Sequence, residues 1–99
     1  MCACCVGNGS KPDTVKNFIA LRGNTEKRNG WFKWEVNDNA TGYNIYFGED
    51  SSKLYNSVMI YGSNEYYLKA LEKDKSYYFQ IEAFNENGIS PKTAVIKVE

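Results

Sequence analysis

Apolar residues along this chain recur with a period of two, which predicts β-strands, not helices. Phe32, Trp34 and Val36 alternate with Lys33 and Glu35, and Tyr43, Ile45 and Phe47 alternate with Asn44 and Tyr46. The longest alternation puts Tyr77, Phe79, Ile81 and Ala83 on one side and Tyr78, Gln80, Glu82 and Phe84 on the other. Weaker strands are expected at about Tyr55–Ile60 and Tyr66–Lys69. A first strand carries Val15, Phe18 and Ala20, with an irregularity between Val15 and Phe18, and a last one carries Ala94, Ile96 and Val98. Turn signals separate them: the polar stretch Gly23 to Gly30, Asn37 to Gly42, Gly48 to Ser52, Gly62-Ser63-Asn64, a charged corner at Lys73–Lys75, and Asn85-Glu86-Asn87-Gly88. A helix over Lys69–Lys75 spans barely two turns and has no partner face. Seven short strands with turns roughly every ten residues predict an all-β, immunoglobulin-like sandwich of two antiparallel sheets.

Alternation also sorts the side chains. Phe32, Trp34, Tyr43, Ile45, Tyr77, Phe79 and Ile81 are the expected core, with Trp34 filling the gap between the sheets. Tyr46, Tyr78 and Phe84 then share an outer face, with Val95 near them, and Trp31, alternate to Phe32, forms a separate patch. Such aromatics make cross-strand pairs, contact a protein or stack on sugar rings. Residues 1–13 read as a disordered, cysteine-containing tail or linker, through Gly7, Asn8, Gly9, Ser10 and Pro12. Residues 14–99 read as the folded domain.

Composition narrows the chemistry. Twelve basic and twelve acidic residues cancel, which argues against a nucleic-acid or anionic-membrane partner. With no histidine in 99 residues, the commonest general base and metal ligand are absent. Cys2, Cys4 and Cys5 are an odd number crowded into five positions, too close to staple a domain, and no cysteine or histidine elsewhere completes a zinc site. Asp38, Glu49 and Asp50 sit in turns, without the cleft a glycosidase needs or the density of oxygens calcium needs. No catalytic, metal or cofactor site is therefore expected. No apolar run is long enough to span a membrane, and residues 1–10 lack the pattern of a secretory signal. Asn8-Gly9-Ser10 and Asn39-Ala40-Thr41 fit the glycosylation acceptor pattern.

From about Pro12 onward the chain resembles a fibronectin type III domain. Trp34, with Phe32 two residues before it, is similar to the family's core tryptophan. Ala40-Thr41-Gly42-Tyr43-Asn44-Ile45-Tyr46-Phe47-Gly48 resembles its third strand, and Leu71 with Tyr77 resembles its leucine and tyrosine-corner pair, which implies that Leu71 also belongs to the core. Ala83, Asn85, Gly88, Ser90 and Pro91 resemble the run between its last two strands. The usual corner proline is missing from Leu71–Lys75, and so is the arginine-glycine-aspartate tripeptide, since Arg22-Gly23 is followed by Asn24. The resemblance implies a non-catalytic spacer or docking module of a larger secreted, periplasmic or cell-surface protein. The Ala-Thr-Gly-Tyr stretch and the Asn, Lys and Tyr content resemble the bacterial branch, whose modules accompany secreted glycoside hydrolases. Its expected partner is a neighbouring domain or another protein, and the isolated domain is expected to be a monomer. Alternatives are a carbohydrate-binding module using the Tyr46, Tyr78 and Phe84 face on a polysaccharide, and an adhesion or receptor module.

Overall fold

The computed structural model describes residues 10–23, 27–69 and 71–98. The cysteines, and the acceptor pattern at Asn8, lie outside these. Eight strands and no helix occur among the described residues. Strands β1 (Ile19–Arg22), β2 (Gly30–Lys33) and β5 (Glu65–Leu68) form one sheet in the order β1-β2-β5. The second sheet runs β4 (Asn56–Tyr61), β3 (Gly42–Gly48), β6 (Tyr77–Asn85) and β7 (Gly88–Ile89), with β8 (Ile96–Val98) also pairing β6. All pairings are antiparallel, so the two sheets make the expected sandwich. The eighth strand is the two-residue β7, which begins at Gly88, the last residue of a stretch that reads in sequence as a turn.

Inner faces follow the alternation. Phe32, Trp34, Tyr43, Ile45, Leu71, Tyr77, Phe79, Ile81 and Ala83 are buried, together with Val15 and Ile60. Phe32 meets Phe79 across the sheets at 4.7 Å between ring centroids, and Trp34 meets Tyr43 at 5.1 Å. Burial of such rings away from water is the main driving force for closing the two layers.

Expected strand ends change where pairing partners run out. Asn17 adopts φ 58°, a left-handed kink at the expected irregularity, so the first strand starts at Ile19 instead of Val15. Val15 still reaches the core from outside the strand. The ladder of β1 on β2 stops at Ile19↔Lys33, and beyond it the chain is held by Glu35 N donating to Lys16 O. Trp34 therefore fills the core from just past the end of β2. Val36, expected to alternate inward with it, is 59% exposed.

The last strand departs for a register reason. Phe84 pairs with Ile89, whereas Phe79, five residues earlier, pairs with Ile96, seven residues later. Two residues of the last segment are thus looped out, as in a bulge. Between the two ladders Thr93 bonds Ile81 through both its backbone N–H and its hydroxyl. Ala94, expected inward, is exposed. Ser10–Asp13 also departs from its linker reading. Pro12 is fully buried, and the carbonyl of Ser10 accepts from the amides of Asn39 and Asn85. The packed domain begins before Thr14.

Side chains secure the loops. The Tyr77 hydroxyl accepts from Glu72 N at 2.8 Å, closing the corner without a proline. Tyr43 does the same for Asn37 N at 2.9 Å. Arg22 lies 5.3 Å from the centroid of the Tyr77 ring and donates to the carbonyls of Lys27, Glu72 and Lys75. Its planar fork of five donors is suited to gathering several carbonyls at once.

Candidate interaction surface

Pairing Phe32 with Ala20 and Tyr66 turns those three side chains inward. Their neighbours then face solvent in a second row. Leu21 pairs with Trp31, and Trp31 with Tyr67, so the three lie side by side across the outer face of β1, β2 and β5. The Trp31 and Tyr67 rings are stacked at 6.3 Å and 23°. Leu21 is 48% and Tyr67 59% exposed, with Trp31 half-buried between them. The indole Nε1–H of Trp31 donates to Glu65 Oε1 at 3.1 Å, which fixes the ring against the sheet. Beside the row is an open depression of about 430 Å³ lined by Leu21, Arg22, Asn29, Trp31, Tyr67 and Lys69. An apolar row with a polar rim, rigid because it stands on strands, is the usual anatomy of a protein-contact surface.

Tyr46, Tyr78 and Phe84 lie on the outer face of the other sheet, but in separate rows. Phe84 is opposite Gly42, Tyr46 opposite Gln80, and Tyr78 opposite Gly48. All three are half-buried. Phe84 lies over Gly42, where an added Cβ would stand 2.7 Å from its ring, and meets the edge of Tyr61 at 5.6 Å. The Tyr46 hydroxyl donates to Glu82 Oε2 at 2.6 Å, and Lys92 Nζ lies 4.8 Å from its ring centroid. Two of the three rings are thereby occupied by neighbours, and the expected open platform is absent. Val95 is exposed and lies just outside β8.

Glu82, expected outward, is only 3% exposed. The reason is a polar cluster laid on the sheet: Oε2 accepts from both Tyr46 and Asn44 Nδ2. A carboxyl is seldom buried on an outer face unless such partners meet it. The cluster acts on Tyr46. Burial, then the hydrogen bond to Glu82 and its negative charge, push the phenol up to about 12. The neutral phenol is thus favoured by the fold. Its stabilising contribution is complete below the ordinary value of 10.0 and is lost as pH rises through about 12. At pH ~11 Tyr46 should remain protonated where an ordinary tyrosine is mostly ionised. Absorbance at the phenolate band across an alkaline titration checks this, with Tyr46→Phe expected to remove the late step.

Loop carboxylates serve the loops. Asp50 Oδ1 accepts from Ser52 N at 2.9 Å and Ser52 Oγ at 2.8 Å. The backbone bond, then the hydroxyl, hold the Asp50 carboxyl below its usual range. Glu49 pairs with Lys75. Asp38 lines a shallow polar hollow with Asp13, Lys16 and Glu35. No group of three His, Cys, Asp or Glu residues among the described residues could hold a metal ion. Asn39, the second acceptor candidate, spends its amide on the carbonyls of Ser10 and Lys11.

The family model for the fibronectin type III domain matches residues 13–99. Solved structures resemble the fold closely. The crystal structure of FN3tt has a TM-score of 0.73 at 25% identity, covering 91% of this chain and 97% of that one. A Fn3-like protein from Clostridium thermocellum has a TM-score of 0.71 at 15% identity, covering 94% of each. The FN1-FN3 domains of chicken CNTN1 have a TM-score of 0.73 at 17% identity, covering 88% of this chain. This chain spans 32% of that one. No curated protein matches the chain in sequence.

Proposed function

This chain belongs to the fibronectin type III family, and on that premise we propose that it is a non-catalytic spacing and protein-docking module. Its contact surface is the Leu21–Trp31–Tyr67 row. One observation carries the reading: a rigid, stacked Trp–Tyr pair with a neighbouring leucine is left facing water. Among the described residues most of the other large rings are packed against one another, hydrogen-bonded to backbone or held in polar clusters, and the exposed Tyr55 has no second ring stacked on it. Aromatic side chains offered in this way contribute disproportionately to protein contacts. The partner is a protein surface with an apolar centre, and a neighbouring domain of the same chain is the first candidate. The reading keeps the larger exported chain expected from the sequence. The likeness of the Ala40–Tyr43 stretch and of the Asn, Lys and Tyr content to bacterial modules supports a carbohydrate-active parent.

Oxidative footprinting of the isolated domain and of its full-length parent tests the surface. Trp31 and Tyr67 should be modified several-fold more slowly in the parent, while Tyr55, on another part of the domain, should keep its rate. Equal rates for Trp31 and Tyr67 in both would remove this face as the docking surface.

A further inference from the structure

The sandwich has exposed strand edges, and they are not alike. Strands β1, β5 and β8 carry Arg22, Glu65 and Lys97 respectively, and β7 is two residues long. Charge and shortness are the common devices by which an edge resists pairing with another chain. Strand β4 has neither. Its six residues, Asn-Ser-Val-Met-Ile-Tyr, include no charge and no proline. It forms a continuous ladder with β3 from Gly42↔Tyr61 to Phe47↔Asn56. It ends its sheet, with nothing paired to its other side among the described residues. Alternate residues of such an edge present unpaired backbone N–H and C=O groups.

We propose that β4 is a self-association edge, pairing antiparallel with β4 of a second copy of this chain to join two sheets into one. A second copy fits because the strand is electrically neutral. Around a two-fold axis every residue meets one from the identical strand, so any charge near the axis would meet its like.

The register follows from parity. Directly opposed residues of an antiparallel pair point to the same side, and Val58 and Ile60 point inward while Ser57, Met59 and Tyr61 are exposed. The axis must therefore pass through a residue, not between two. An axis at Met59 sets Val58 against Ile60 of the copy on the core side and Ser57 against Tyr61 outside. An axis at Val58 would set Asn56 against the buried Ile60, an amide against an apolar neighbour. Met59 is the axis. A contact of one strand edge covers less than the ~800 Å² per partner of a standard interface, so the dimer is weak and concentration-dependent.

The test uses the chain with Cys2, Cys4 and Cys5 replaced by serine, which removes adventitious disulfides. Sedimentation equilibrium should show monomer at low micromolar concentration and a rise toward twice the monomer mass near millimolar. Met59→Lys should hold it monomeric throughout with an unchanged melting temperature, since Met59 is exposed. Met59→Cys should cross-link readily under mild oxidation. Ser57→Cys should not, because opposing Tyr61 puts the two Ser57 positions four residues, or ~13 Å, apart, beyond disulfide reach. A monomer up to millimolar concentration overturns the proposal. So does a dimer indifferent to Met59→Lys, or one in which Ser57→Cys cross-links as fast as Met59→Cys. Each result is independent of the Trp31 surface, which lies on the other sheet.

Discussion

Replacing Trp34 with alanine is expected to cost about 3–5 kcal/mol of folding stability. The side chain is 2% exposed and is the largest in the core. Its ring contacts Tyr43 at 5.1 Å and Phe18 at 6.4 Å. Truncation opens a cavity walled by Tyr43 of β3 and by Phe18, next to the start of β1, and the ladders of both sheets restrict collapse around it. Domains of this kind are stable by about 5–15 kcal/mol, and the loss takes a large part of that. Trp34→Phe separates packing from polarity. The Nε1 of Trp34 is buried with no hydrogen-bond partner, so phenylalanine removes an unsatisfied donor along with some volume. It should cost clearly less than alanine. Urea unfolding followed by the remaining tryptophan, Trp31, reads both variants. A midpoint for Trp34→Ala within error of the parent would mean that the indole does not bridge the sheets.

Much of this architecture was legible because half-buried strands write their inner faces into the sequence. Tyr77, Phe79, Ile81 and Ala83 alternate in the chain and are buried together. The irregularity between Val15 and Phe18, where Asn17 turns left-handed, was legible locally, and Tyr77 as a corner residue was legible through the family resemblance. What stayed hidden depends on partners distant in sequence. Nothing near Val36 indicates that the Asn17 kink ends the ladder beside it. Nothing near Ala94 indicates that two residues are looped out of register. The role of Arg22 was hidden because two of its three carbonyl acceptors, Glu72 and Lys75, lie 50 and 53 residues away. Pro12 was misread for the same reason: its Gly- and Ser-rich surroundings resemble a linker, while the carbonyls of Ser10 and Lys11 before it are held by asparagines in two remote turns.

The outer faces show the same limit. Alternation correctly puts Tyr46 and Glu82 on one side of their sheet, but outward does not mean exposed. Register sets Asn44 directly opposite Glu82 and Tyr46 next to it, and the three close into a hydrogen-bonded cluster. Trp31 had only Phe32 to define it in sequence. Its partners Leu21 and Tyr67 come from strands before and after, and only the order β1-β2-β5 makes a row of them.

Gly48→Ala is expected to be the second most damaging substitution among those considered, at about 2–3 kcal/mol, within the range for overpacking. Gly48 ends β3, paired with Tyr78. A Cβ there would stand 2.4 Å from the carbonyl oxygen of Lys53 and 3.3 Å from Leu54 Cα. That oxygen belongs to the backbone and cannot swing aside as a side chain could. The turn presenting it is braced, with Lys53 N donating to Asp50 O and Asp50 Oδ1 accepting from Ser52. Relief therefore requires either β3 or the whole turn to move. Gly62 provides the comparison. Its φ is 68° and a Cβ there meets nothing within 4 Å, so alanine incurs only the backbone penalty, about 1 kcal/mol. Chemical denaturation should order the two with Gly48→Ala clearly the worse. Hydrogen exchange should show the Gly48 variant loosened at residues 49–56 specifically. The reverse order would mean that the Asp50 turn yields to a methyl group at little cost, and that its hydrogen bonds do not hold Lys53 against the strand.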